Sequence, residues 1–300
     1  MIRIRPDLCT NCGICTDVCP FRIPVEVNEN GLKQTQLNLD RIGLCLDCGH
    51  CAALCPQDAI EVETLYQKAF DPVIKPEIDQ FQLLTLLQQR RSIRNYQDKQ
   101  IPRKIIDQVI DAARSAPTGT ASSVTGIIII DDPEALNVLS RQLYKLYNGL
   151  EKGLNHPIFR EIFRHNVKRY AGKNNLRVLE NFALPGIHWY IRWFKEGISD
   201  EFLRNCPAVM LFHNPIDEPV RSENCIISAF QAILMAEVLG IGTCFNDLIP
   251  MACNSPEVPE IRTLLDLPKD RAVFASLTMG YPKYAFERKI PKELADVRYL

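Results

Sequence analysis

Cys9-Thr10-Asn11-Cys12-Gly13-Ile14-Cys15-Thr16-Asp17-Val18-Cys19-Pro20 decides the first part of the fold, and Cys45-Leu46-Asp47-Cys48-Gly49-His50-Cys51-Ala52-Ala53-Leu54-Cys55-Pro56 repeats it. Both stretches read C-x2-C-x2-C-x3-C-P. Thiolates at this spacing hold two 4Fe-4S clusters, and the fourth cysteine of each run ligates the other cluster. The expected ligand sets are therefore Cys9, Cys12, Cys15 and Cys55 for one cluster, and Cys45, Cys48, Cys51 and Cys19 for the second. Pro20 and Pro56 stop the local helix and turn the chain. Cysteine pairs two residues apart also bind zinc. The third cysteine at the same interval and the Cys-Pro ending favour clusters.

Working outward, short strands are expected near Arg3-Ile4 and Ile60-Glu61-Val62, bracketing the cysteine runs. Between the runs, Val25-Glu26-Val27 and Gln36-Leu37-Asn38-Leu39 suit a hairpin around Asn30-Gly31. Residues 1–65 form a cluster domain on this reading. Residues 66–79, with Pro72 and Pro76, read as a linker. Residues 80–300 form a second domain, in keeping with the two that a 300-residue chain suggests.

A formal net charge of −1 gives no bulk attraction to nucleic acid or anionic lipid. No window supplies the roughly 20 apolar residues of a membrane span, so a membrane protein is not expected. Met1-Ile2-Arg3-Ile4-Arg5-Pro6 enters the motif without an apolar core, unlike a secretory signal. Eight of the twelve cysteines have cluster spacing, so a reducing cytoplasm is expected. Low-potential clusters also suit an anaerobic or micro-aerobic cell.

In the second domain, apolar periodicity predicts helices over Gln80–Gln89, with Phe81, Leu84 and Leu87 on one face, and over Arg103–Ser115. A long apolar helix is expected from about Cys225 to Leu239. Strand patterns occur at Thr125–Ile130, Ala208–Phe212 and Val273–Met279. Residues 134–205, between the first two strands, hold Trp189, Trp193 and many other aromatics, and read as a helical insertion. Its rings either pack a subdomain or form a lid over a flat substrate. Ile187–Lys195 also allows an interfacial membrane helix, though its basic face is barely developed.

Arg90-Arg91-Ser92-Ile93-Arg94-Asn95-Tyr96 places three arginines and a serine together after an apolar helix. Guanidinium groups bind a doubly charged phosphate in bidentate fashion, and the hydroxyl adds a donor. A basic helix end also suits the helix dipole. Three further elements accompany it: the small-residue loop Ser115–Ser123, the glycine-bearing turn Leu239–Asn246, and Gly280-Tyr281-Pro282-Lys283 followed by Arg288.

As a set, these elements resemble the flavin-dependent nitroreductase family, in the branch where a two-cluster ferredoxin domain precedes the nitroreductase domain. The resemblance covers nearly all of the chain. It implies an α+β fold in which a ferredoxin-like domain precedes an FMN-binding sandwich, assembled as a homodimer with FMN at the dimer interface. By position, Arg90, Arg91 and Ser92 would hold the ribityl phosphate, with Arg288 arriving from the C-terminal side. Arg94 would sit near the N1–O2 edge of the ring, where positive charge raises the flavin potential. The loop Pro117, Thr118, Gly119, Thr120, Ala121 and Ser122 would run along the ring. The backbone from Cys244 through Asn246 and Asp247 would cover the side near N5. Relatives carry Asn, a polar residue and then Gln-Pro after the Pro-Thr-Gly turn, where this chain has Ala121-Ser122-Ser123-Val124. Asn246 and Asp247 likewise stand where small residues are common.

Cys206, Cys225, Cys244 and Cys253 lack ligand spacing and read as buried small hydrophobes. His50, His156, His165, His188 and His213 form no cluster. Gly240-Ile241-Gly242 lacks the preceding strand and third glycine of a dinucleotide fingerprint. The expected function is an FMN-dependent oxidoreductase. A low-potential donor such as ferredoxin would feed the clusters, then FMN, then a flat electron-poor acceptor: a nitroaromatic, a quinone or an activated alkene. The alternatives are an electron-transfer subunit without substrate chemistry and a flavin reductase fed by NAD(P)H. No catalytic side chain is identifiable.

Overall fold

The computed structural model describes the chain except residues 1, 30, 66–72, 75, 120–123, 289, 291–295 and 300. Most of the expected linker, and the expected flavin-loop residues Thr120, Ala121 and Ser122, lie outside the described residues. The chain divides into two compact units: Met1–Glu77 with Thr118–Val124, and Ile78–Pro117 with Thr125–Leu300.

In the first unit, β1 (Ile2–Ile4), α1 (Ile14–Val18), β2 (Pro24–Glu29), β3 (Leu32–Leu37), a 3-10 turn (Leu39–Leu44), α2 (His50–Ala53) and β4 (Ile60–Val62) follow in order. β1 and β4 pair antiparallel with Ile2 opposite Val62, and β2 and β3 form the expected hairpin with Pro24 opposite Leu37. The apolar core is small, built from Ile2, Cys15, Ile23, Ala52, Ile60 and Val62. The two cysteine loops repeat their backbone as well as their sequence. Asn11 and Gly13 take positive φ in the first, and Asp47 and Gly49 do so in the second.

The second unit begins with α3 (Gln80–Gln89), α4 (Arg103–Arg114), β5 (Gly126–Ile130) and α5 (Pro133–Leu154). Next come α6 (Pro157–Tyr170), α7 (Lys173–Val178), a π turn (Leu179–Ala183) and α8 (Leu184–Lys195). It closes with β6 (Ala208–Pro215), α9 (Arg221–Val238), β7 (Gly242–Phe245), α10 (Leu248–Cys253), α11 (Pro259–Leu264) and β8 (Arg271–Gly280). The sheet order is β5-β6-β8-β7, antiparallel throughout.

Strand alternation sends side chains to two cores. Val209 and Leu211 of β6 pack with α5, α10 and α11, whereas Ala208, Met210 and Phe212 pack with α4 and α9. A bulge interrupts β8, where Phe212 faces Ala275 and His213 faces Val273. The extra residue Phe274 reverses which face the following positions meet. Val273 therefore joins the first core and Ala275 the second. Asp132 caps α5 by accepting from Ala135 N at 2.8 Å, ahead of Pro133 in the first turn.

Residues 134–205 are helical over most of their length, as expected. Phe202 is fully buried at their C-terminal end, stacked on Tyr147 and edge-on to Tyr190 and Phe194. One expectation is corrected. Leu239–Asn246 is not simply a turn, because Gly242–Phe245 forms an edge strand on β8. α3 forms over the expected residues, and Phe81, Leu84 and Leu87 of its apolar face are exposed.

Candidate cofactor sites

The first unit holds two cavities ringed by cysteines. One is lined by Cys9, Cys12, Cys15 and Cys55, and the other by Cys19, Cys45, Cys48 and Cys51. Each draws three cysteines from one run and the fourth from the other. The local geometry repeats: Ile23 N donates to Cys19 Sγ at 3.4 Å, and Ala59 N donates to Cys55 Sγ at 3.2 Å. Burial, then the neighbouring Cys48, pushes the Cys51 thiol up to about 11. A quartet of thiolates in such a place needs bound cationic metal to persist, and the cavities suit a cluster. Among the described residues, no three His, Cys, Asp or Glu side chains converge tightly enough for a single metal ion.

The second unit has a cleft of about 440 Å³. Gln89, Arg91 and Ile93 form one wall, Glu237 to Gly242 another, and Pro282 to Phe286 a third. Backbone pairing holds these walls together. Ile93 N donates to Thr243 O at 2.9 Å, Gln97 N to Tyr281 O at 2.8 Å, and Lys283 N to Asn95 O at 3.0 Å. Tyr96 lies buried between them, and its hydroxyl lies 2.8 Å from both Ile93 O and Thr278 Oγ1. A Cβ on Gly242 would lie 2.6 Å from Ile93 Cγ1, so the close crossing of Ile93 requires glycine.

Arg91 Nη1 donates to Gln88 O and Arg90 O, both at 2.8 Å. Its Nε and Nη2 are buried without a hydrogen-bond partner among the described residues. Two orphaned guanidinium donors on a cleft wall fit a phosphate. Burial pushes the Glu237 carboxyl up, against the pull of Arg90 and Arg91, and so weakens its repulsion of an anion.

The other expected flavin residues are scattered in exposure. Arg90 and Ser92 are half-buried beside Arg91, and Ser92 bridges to Thr243. Arg94, Pro117, Gly119, Asp247 and Arg288 are exposed, and Thr118 is half-buried. Cys244 is buried within β7. The Asn246 side chain is committed to the chain itself: Nδ2 donates to Phe202 O at 2.6 Å, and Oδ1 accepts from Leu248 N at 3.2 Å. Tyr284, Ala285 and Phe286 line the cleft although the sequence reading passed over them for Arg288. Their aromatic spacing beyond Gly280-Tyr281-Pro282 was the available signal. Cys206, Cys225 and Cys253 are buried, and burial pushes each thiol up to about 12, the mark of inert packing groups. No helix among the described residues is long and apolar enough to cross a membrane.

A family model described as the nitroreductase family matches residues 87–281, and one described as the 4Fe-4S dicluster domain matches residues 8–60. The FMN reductase (NAD(P)H) of Bacillus subtilis (strain 168) is 23% identical over 217 residues, covering 72% of each chain. Iodotyrosine deiodinase 1 of Rattus norvegicus is 25% identical over 205 residues, 66% of this chain. The match spans 61% of that relative's length, less than two thirds. The solved nitroreductase with bound FMN from Bacteroides fragilis NCTC 9343 shares the fold, with a TM-score of 0.53 at 18% identity. That likeness covers 73% of this chain and 98% of the other.

Proposed function

The chain belongs to the nitroreductase family, and from that premise we propose that it is an FMN oxidoreductase fed through two 4Fe-4S clusters of its own. Bound clusters supply one-electron transfer, and a bound flavin supplies both one- and two-electron chemistry. The domains of the proposal are 1–65 for the clusters and 80–300 for the flavin, joined through 66–79. Cys9, Cys12, Cys15 and Cys55 hold one cluster, and Cys45, Cys48, Cys51 and Cys19 hold the other. Their arrangement around two separate cavities supports this assignment.

Arg91 is the residue that carries the flavin reading, because its Nε and Nη2 are buried on the wall of the cleft with no partner among the described residues. It binds the ribityl phosphate, with Arg90 and Ser92 adding charge and a hydroxyl, and Arg288 closing from the C-terminal side. Arg94 supplies positive charge near the ring. The loop from Pro117 to Ser122 and the backbone of Cys244 to Asp247 flank the ring. A second copy of the chain is the structural partner. The exposed apolar side chains of α3 (Phe81, Leu84) and of α9 (Ile226, Ile227, Phe230) support that pairing. The donor is a ferredoxin-like carrier, and the acceptor is a flat electron-poor molecule. The likeness to an FMN reductase named for NAD(P)H makes the nicotinamide the donor to test against it.

Arg91→Ala is the direct test. Loss of a charged hydrogen-bonding group costs about 2 kcal/mol, so FMN affinity falls roughly thirtyfold while the iron content stays unchanged. Arg91→Lys does not restore it, because a point charge replaces the planar fork. Unchanged FMN affinity in Arg91→Ala, measured by fluorescence titration, would overturn the assignment.

A further inference from the structure

The cysteine frames of the two cluster cavities are near-identical, but their remaining walls are not. Around Cys9, Cys12, Cys15 and Cys55 stand Thr10, Thr35 and Gln57. Around Cys45, Cys48, Cys51 and Cys19, the positions matching Thr10 and Gln57 are Leu46 and Phe21, and His50 stands where the first cavity has Ile14. Thr35 comes from the hairpin between the runs and has no counterpart in the second cavity. Its Oγ1 is buried without a partner among the described residues. The residue is 9% exposed, and its backbone N–H donates to Asn11 Oδ1 at 2.8 Å, which pins β3 against the first cysteine loop. Thr16 Oγ1 and Asn38 Oδ1 are also buried without a partner among the described residues, but neither lines a cysteine cavity.

The loops differ in charge as well. Asn11 Oδ1 lies 3.6 Å from Cys9 Sγ, and at the matching place the Asp47 carboxylate lies 3.5 Å from Cys45 Sγ. Access to water differs little. Cys12 and Cys48 are both exposed, and Cys9, Cys45, Cys19 and Cys55 are all half-buried. Only the third pair departs, with Cys15 buried and Cys51 half-buried.

We infer that Thr35 is a positioning and tuning residue: its hydroxyl donates to sulfur in the cavity of Cys9, Cys12, Cys15 and Cys55, making that cluster the better electron acceptor of the two. A donor to sulfur stabilises the extra negative charge of the reduced cluster and raises its potential. The carboxylate of Asp47 opposes reduction at the other site. Thr35 and Asp47 act in the same direction, against the imidazole of His50 on the second cavity's wall. A protein carrying one electron therefore holds it at the first site, and the second empties first. The inference rests on the proposal that both clusters are present.

The test is a redox titration of the reconstituted holoprotein, followed by EPR and absorbance, with iron counted on the same sample. The wild type is expected to take up two electrons in separate one-electron steps, with at least about a tenfold preference, or about 59 mV, between the sites. Thr35→Val lowers the upper step and leaves the lower one in place, while Thr35→Ser keeps the upper step near its wild-type position. A single unresolved step at about eight irons per chain overturns the inference and leaves the two-cluster reading standing. So does an upper step that Thr35→Val does not move. Far fewer irons overturn both.

Discussion

The two units hold their folds by different means. In the first, a core as small as Ile2, Cys15, Ile23, Ala52, Ile60 and Val62 serves two ligand loops and two short sheets. A core of that size is marginal, and ligated metal adds directly to its folding free energy. In the second, a four-stranded sheet sends alternate side chains into two cores, with α4 and α9 on one face and α5, α10 and α11 on the other. Its side chains already fill one another's space, and its cleft is a feature added to a finished fold. The difference teaches where cofactor loss is felt: as unfolding in the first unit, and as loss of chemistry alone in the second.

Iron removal tests this contrast most severely. After chelation, backbone amides from Ile2 to Val62 are expected to exchange with solvent at nearly unfolded rates, while β5, β6 and β8 keep their protection. Protection retained in both units would break the comparison. Next in size is Phe202→Ala. It empties the space shared with Tyr147, Tyr190 and Phe194 and is expected to cost about 4 kcal/mol. Denaturant unfolding followed at Trp189 and Trp193 should show the loss, with the cluster spectrum unchanged.

Gly242→Ala forces a methyl group against Ile93 where no room exists. About 2 kcal/mol of stability is expected to go, together with a shift in the cleft wall visible as weaker FMN binding. A pH dependence is expected as well. Burial first, then Arg271, pulls His213 down to about 4 from its usual 6.5, and Arg271 Nε donates to His213 Nδ1 at 2.7 Å. The unfolded chain takes up this proton more readily than the folded one. The second unit should therefore lose stability as pH falls from 6.5 towards 4. His213→Gln should flatten that part of the curve, and an unchanged slope would show that another group carries it.

The first unit was legible because ligand chemistry demands fixed cysteine spacing, and that demand leaves a pattern no apolar core can mimic. The β2–β3 hairpin was legible for a simpler reason: alternating segments flank Asn30-Gly31. In the second unit, long periodic elements such as α9 and β8 were readable from hydrophobic spacing. β7 was not, because Gly242-Thr243-Cys244-Phe245 is four residues long and begins with glycine. Its strand character comes from pairing with β8 rather than from its own sequence. The π turn Leu179–Ala183 likewise lacks a local signature, although Pro185 follows it closely. At the cleft, Arg91 could be named because three arginines beside a serine suit an anion. The commitment of Asn246 to Phe202 could not, since the two residues lie far apart in sequence and meet only after folding.

The measurement that bears most directly on the whole account is an anaerobic reductive titration of the reconstituted protein, with iron and FMN quantified. The account predicts about eight irons and one FMN per chain, with the clusters reduced and the flavin bleached when reduced ferredoxin is added. Iron without FMN would contradict it, leaving an electron carrier built on a flavin fold.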